Sequence, residues 1–140
     1  MATRSTISKK NPDGTYSTIY CHWDGYPSNN GKLLLKYYNT DEKVNELISL
    51  GDLSYLESQL SPPNGIKHSF DEPCEGVVVA YHRDRGEDLV IRKTNNIKSI
   101  FGKYSQEWNY LWKNGKWYVA KDDKNTTFVE LTQEICDNEY

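Results

Sequence analysis

A chain of 140 residues has the size of one ordinary domain and can bury a real core without disulfides or metal. Its 17 basic and 20 acidic residues leave a net charge of −3, too weak for an acidic mimic of nucleic acid and the wrong sign for a generic duplex-binding surface. Only 36% of residues are hydrophobic, but 11 Tyr and 4 Trp make aromatic rings the main source of buried area. Cys21, Cys74 and Cys136 are odd in number and lack CxxC spacing, which predicts reduced thiols. The N-terminus has no apolar signal region, and no apolar run approaches the ~18 residues of a membrane span. The expectation is a soluble protein made and used inside a cell.

In chain order, residues 4–10 read as a strand and Asn11-Pro12-Asp13-Gly14 as a tight turn. A second strand over 15–22 puts Tyr16, Thr18, Tyr20 and His22 on one face and Ser17, Ile19, Cys21 and Trp23 on the other. Neither face is purely apolar, so periodicity alone leaves the buried one open. Asp24-Gly25-Tyr26-Pro27 breaks the strand, and a helix is predicted over 31–38, with Leu34, Tyr37 and Tyr38 on one side. Thr40 caps a second helix that carries Asp41 and Glu42 in its first turn and Val44, Leu47 and Ile48 on its apolar stripe, with Gly51 just past its end. Leu53, Leu56 and Leu60 predict a short third helix, stopped by Ser61-Pro62-Pro63.

Residues 66–75 read as loop, and 76–82 as a central strand rich in β-branched residues. A charged turn over 83–88 leads to a returning strand at Leu89-Val90-Ile91. Residues 94–103 fit helix or strand; Ile97, Ile100 and Phe101 suit a short helix. Lys113-Asn114-Gly115-Lys116 between alternating residues is a hairpin signal, because both central residues of a type I′ turn need positive φ. That register sets Trp112 against Trp117 and puts Trp108, Tyr110, Trp112, Trp117 and Val119 on one face, either core or recognition surface. A loop over 122–125 precedes Thr127-x-x-Glu130, a capping box for a last helix carrying Phe128, Leu131 and Ile135. The tail from about residue 135 is expected to fray. Strands, then helices, then strands argue a single α+β domain: a mostly antiparallel twisted sheet with helices on one face.

Two His-x-Asp pairs, His22/Asp24 and His82/Asp84, could each present two ligands or an acid–base pair, but no third ligand has a metal-site spacing. Cys21 or Cys74 beside a His and an Asp is the ingredient list for a small hydrolase, yet no nucleophile signature surrounds either cysteine. The glycines match no phosphate-binding loop. Arg83, Arg85 and Arg92, with Lys93 and Lys98, could fork to phosphate beside stacking rings, or be a solvated turn balanced by its own carboxylates. The densest cluster of recognition-type side chains is Tyr20-Cys21-His22-Trp23-Asp24-Gly25-Tyr26-Pro27. It nominates Trp23, Asp24 and Tyr26 at the rim of a functional surface, with Tyr37 and Tyr38 close by. In this reading Gly25 allows a sharp turn and Asp24 braces it through backbone N–H groups.

The opening also resembles a family of small proteins encoded by tailed bacteriophages and prophages. The pattern is Arg4-Ser5-Thr6-Ile7, Asp13-Gly14, Tyr20-x-His22-Trp23-Asp24-Gly25-Tyr26-Pro27, Gly31-Lys32-x-Leu34-Leu35 and Tyr38, continuing through Leu47-Ile48-x-Leu50-Gly51-Asp52. It covers about the first sixty residues. The resemblance implies a phage accessory protein in the cytoplasm of a bacterial host; it implies neither substrate nor catalytic residue. By analogy with other phage accessory proteins, the expected role is a non-enzymatic counter-defence inhibitor. It would sequester a host immune nucleotide or occlude a host effector protein, with no cofactor or metal. A hydrolase using His22, Asp24 and a cysteine, and a minor virion assembly protein, stand as the alternatives, and homo-oligomerisation is left open.

Overall fold

The computed structural model describes residues 3–95, 106–121 and 127–138. Strands β1 (Ser5–Lys10) and β2 (Tyr16–Cys21) form an antiparallel hairpin, with Ser5 opposite Cys21 and Lys10 opposite Tyr16. Its turn is set by Asp13, whose Oδ1 accepts from the backbone N–H and the hydroxyl of Thr15. Three short strands follow: β3 (Leu53–Tyr55), β4 (Val79–Ala80) and β5 (Arg92–Thr94). A second hairpin joins β6 (Trp108–Lys113) to β7 (Lys116–Lys121), and β8 (Val129–Glu130) closes that edge. The sheet order is β4-β3-β2-β1-β6-β7-β8, with β5 also on β2. The β1–β6 and β2–β3 pairs are parallel and the others antiparallel, so this is an α+β domain on a mixed, mostly antiparallel sheet.

The helices are α1 (Lys32–Tyr37), entered through a π-helical turn at Pro27–Gly31, α2 (Asp41–Ser49), α3 (Tyr81–Arg85) and α4 (Gln133–Asn138). As predicted, the Thr40 hydroxyl caps α2 by accepting from Lys43 N–H at 3.2 Å, and Val44, Leu47 and Ile48 are its buried stripe. Gly51 follows at φ 76°. Leu34, Tyr38, Val44, Leu47, Leu131 and Cys136 pack with Ile7, Ile19, Tyr110, Trp117 and Val119 in one core.

The β6–β7 turn has Asn114 at φ 53° and Gly115 at φ 76°, and Trp112 lies opposite Trp117 with ring centroids 5.3 Å apart. The aromatic face is core: Trp108, Tyr110, Trp112 and Trp117 are all buried, and three of their polar tips are hydrogen-bonded within the chain. Trp117 Nε1 donates to Tyr38 O at 2.7 Å, Trp112 Nε1 to Asp41 Oδ1 at 2.6 Å, and Tyr110 Oη to Gly25 O at 2.6 Å. The other sheet face is buried as well, and polar: Thr6 Oγ1 donates to Asn109 Oδ1, and the Ser8 and Thr18 hydroxyls bond each other, both at 2.7 Å.

Several expectations are overturned. Leu53 lies in a strand, not a helix; β2 continues past Cys21 with unpaired backbone groups, and His22 N–H and Trp23 N–H take Leu53 O and Ser54 O. That pairing outweighs the helical spacing of the leucines. Residues 77–80 are all buried, but only Val79–Ala80 form a strand, at an edge, because β3 offers three residues to pair with. The returning strand is Arg92–Thr94, not residues 89–91. Glu130 pairs with Tyr118 in β8 rather than closing a capping box; Thr132, five residues on, supplies the cap to Ile135 N–H. The expected frayed tail is helical through Asn138, and Cys136 is fully buried in the core. The ambiguous segment beyond Thr94 and the loop at 122–125 lie largely outside the described residues.

Removing the Tyr110 hydroxyl leaves the buried carbonyl of Gly25 without its donor. Tyr110→Phe should therefore cost about 1–3 kcal/mol, visible as a lower melting temperature with an unchanged far-UV spectrum. Unchanged melting would show that this bond contributes nothing net.

Candidate functional site

The 20–27 stretch leaves the sheet at one end of β1 and β2. Trp23 is 43% exposed, yet its backbone is locked: its N–H donates to Ser54 O at 2.9 Å, and Gly25 N–H donates to Thr3 O at 2.8 Å. The His22 ring meets the Trp23 ring edge-on at 4.8 Å, and His22 Nδ1 is hydrogen-bonded to the Tyr20 hydroxyl at 2.6 Å. The sharp turn falls at Asp24, whose φ is 56°, a conformation that Asp tolerates better than most residues. Gly25 serves close approach instead: a Cβ there would lie 2.6 Å from Ser5 Cβ and 2.9 Å from Thr3 O.

Asp24 is therefore not the expected brace. Its carbonyl accepts from Asn29 Nδ2 at 3.0 Å, and among the described residues its exposed carboxylate meets only the Tyr26 hydroxyl, at 3.4 Å. Burial first, and then the charge of Asp24, raises the Tyr26 phenol above its ordinary value. Glu57 lies within electrostatic reach: burial raises its carboxyl, and the charges of Asp24 and Glu75 add to the shift. Trp23 thus stands out next to Asp24, whose charge reaches Glu57.

The other nominated residues divide. Tyr37 is exposed and lines a depression of about 350 Å³ with Lys43, Glu46 and Ser61. Tyr38 is a correction: it is 1% exposed, and its hydroxyl donates to Glu57 O at 2.6 Å, so it is core rather than a contact residue. The arginines each have a partner within the chain. Arg92 forks onto both oxygens of Asp52, at 2.6 and 2.9 Å. Arg83 donates to Leu60 O, Val78 O and Asp84. Arg85 pairs with Glu87 and lies over the Phe70 ring at 4.6 Å. Arg83 and Arg92 thereby tie α3 and β5 to residues earlier in the chain.

Neither His-x-Asp pair meets. His22 bonds Tyr20, and His82 Nδ1 bonds Glu87 O at 2.7 Å. Asp84 instead takes His68, from the irregular segment before β4. His68 Nδ1 accepts from Cys74 N–H at 2.9 Å, so Nε2 holds the proton and donates to Val78 O and Asp84 Oδ2. Both side chains are nearly fully buried. Nothing in the spacing of His68 and Asp84 signals this pairing, which exists only once the loop folds back on α3. Burial opposes ionisation of Asp84; the Arg83 guanidinium, Ala80 N–H and His68 outweigh it and hold the carboxyl below its ordinary value. Cys21 is fully buried, and burial pushes its thiol up to about 11; as a strand neighbour of His22 it points to the opposite sheet face. Among the described residues no three His, Cys, Asp or Glu side chains are grouped to hold a metal, and no helix is long and apolar enough to cross a membrane. Comparison with family models, with curated proteins and with solved structures finds no match.

Because the folded pKa of Asp84 lies below the ordinary 3.8, its contribution is complete above that value and is lost as pH falls through the folded pKa. Asp84→Asn should cost about 2 kcal/mol or more at neutral pH, and the loss relative to wild type should shrink on acidification below pH 3.8. A pH-independent difference would disprove the assignment. In native protein, iodoacetamide should label half-exposed Cys74 well before Cys21 and Cys136, which are buried with thiols raised to about 11; equal labelling rates would contradict this.

Proposed function

We propose that this chain is a bacteriophage accessory protein that acts by binding, and that its Trp23 end occludes a basic surface on a host defence protein. The observation that carries this reading is Trp23 itself, a large ring 43% exposed on a backbone hydrogen-bonded to β3. Holding a ring rigid in water gains nothing for folding, whereas a pre-ordered aromatic anchor loses little entropy when a partner pocket closes over it. Asp24 next to it, with Glu57 within reach of the Asp24 charge, fits a partner of positive charge, which such carboxylates would steer and align. The phage origin rests on the resemblance of the first sixty residues. Occlusion is favoured over nucleotide capture because Arg83, Arg85 and Arg92 are bonded within the chain.

The test is genetic and biophysical together. Wild-type protein and Trp23→Ala would be expressed in bacteria carrying a panel of immune systems and challenged with phage. Wild type should restore plating against at least one system, and Trp23→Ala should abolish the effect while melting near wild type. At about 2 kcal/mol or more for an anchor residue, binding to the matching effector should weaken about thirtyfold or more. A stable Trp23→Ala variant with full activity, or a wild type that protects against no system, would refute the proposal.

A further inference from the structure

At the opposite end of β1 from Trp23 lies a cleft of about 570 Å³ between the first turn, the start of α2 and the β6–β7 turn. Such a volume suits a small-molecule ligand. Its polar groups are unevenly matched. The Lys9 ammonium donates to Asn45 Oδ1 at 2.5 Å, a neutral acceptor that leaves its charge uncompensated and two of its three hydrogens unused. Lys10 beside it is exposed, and among the described residues neither lysine is ion-paired. Asp41 is the one carboxylate in the wall; Oδ1 takes the Trp112 indole N–H, and Oδ2 is open as an acceptor. Asn45 keeps its amide hydrogens, and Asn114 stands exposed on the rim.

We infer that this cleft binds a small hydroxylated ring carrying an anionic group, a sugar phosphate or an acidic sugar. The Lys9 ammonium matches the anion, a full charge that a neutral sugar would not use. Asp41 Oδ2 is placed for a ligand hydroxyl; toward bare phosphate it would only repel. Amide groups such as those of Asn45 and Asn114 both donate and accept, the pairing a hydroxyl needs. Trp112, nearly buried, is the floor rather than a stacking platform. The inference is independent of the role assigned to Trp23, since the two regions lie at opposite ends of the strand.

The experiment is an amide and indole NMR titration of the full chain with ribose 5-phosphate, glucuronate, neutral ribose and inorganic phosphate. Ribose 5-phosphate or glucuronate should shift the Trp112 indole and Asn45 signals saturably at millimolar concentration. The stronger of the two identifies whether the anion is phosphoryl or carboxyl. Ribose and phosphate alone should each bind about tenfold more weakly or worse. Lys9→Gln should weaken the acidic sugar about tenfold, and Asn45→Ala, an exposed change, guards against an effect of misfolding. Absence of saturation with both acidic sugars, shifts confined to residues outside the cleft, phosphate alone binding as tightly, or both variants binding like wild type would each overturn the inference.

Discussion

The fold depends on β1 being interior to the sheet. One edge pairs antiparallel with β2, ten or so residues on; the other pairs parallel with β6, a hundred residues away. The local hairpin can form early and cheaply in loop entropy, but the strand is completed only when the far end of the chain returns. This explains why Ser5, Thr6 and Ser8 are buried although they are polar. Thr6 and Ser8 are satisfied across the strands by Asn109 and Thr18, and Ser5, on the other face, by Asn30 of the π-helical turn, so the centre of the sheet is specified by hydrogen bonds on one face and mainly by aromatic packing on the other. A hydroxyl or amide left alone there would cost more than the apolar contact it replaces.

What could be read in the sequence follows from how local each signal is. The Asn114-Gly115 turn, the Thr40 cap and the stripe of Val44, Leu47 and Ile48 are decided within a few residues, and all three stand as expected. Leu53, the Val77–Val79 run and Thr127 were misread because a neighbour distant in sequence decides each of them. Leu53 is drafted by the free edge of β2, and Glu130 by Tyr118. Helical periodicity is a weak prior where a strand edge needs pairing. At the candidate site, Trp23 was legible because a tryptophan beside a turn with Asp and Gly rarely fits a core. Tyr38 was not, because its partner Glu57 O lies 19 residues on, and the arginines were not, because a sequence shows charge but not who neutralises it.

The charged residues of the middle segment act as fasteners. Residues 61–76 have no regular secondary structure, and a loop of that length has little to hold it. His68, Arg83 and Asp84 replace the missing ladder: each binds backbone groups as well as another side chain. Breaking one member leaves a buried charge or carbonyl without a partner, so this cluster is stabilising in context even though an isolated ion pair contributes little. The same commitment removes these arginines from the pool of groups free to meet an anion.

Among the described residues, the two ends of β1 are places where polar or aromatic capacity is unspent. At one end an indole is held in water by backbone bonds to β3, next to the Asp24 carboxylate; at the other, the Lys9 ammonium faces a neutral amide. The strand between them is buried on both faces and paired on both edges, so a ligand or partner at either end would meet preformed geometry. Loops positioned by such a scaffold can carry binding groups at small entropic cost. The opposite charges of the two ends also separate their partners, since a cationic surface suited to Trp23, Asp24 and Glu57 would be repelled by Lys9 and Lys10. Electrostatic selection between the ends therefore follows from the placement of a few side chains on one rigid strand, without any change in shape.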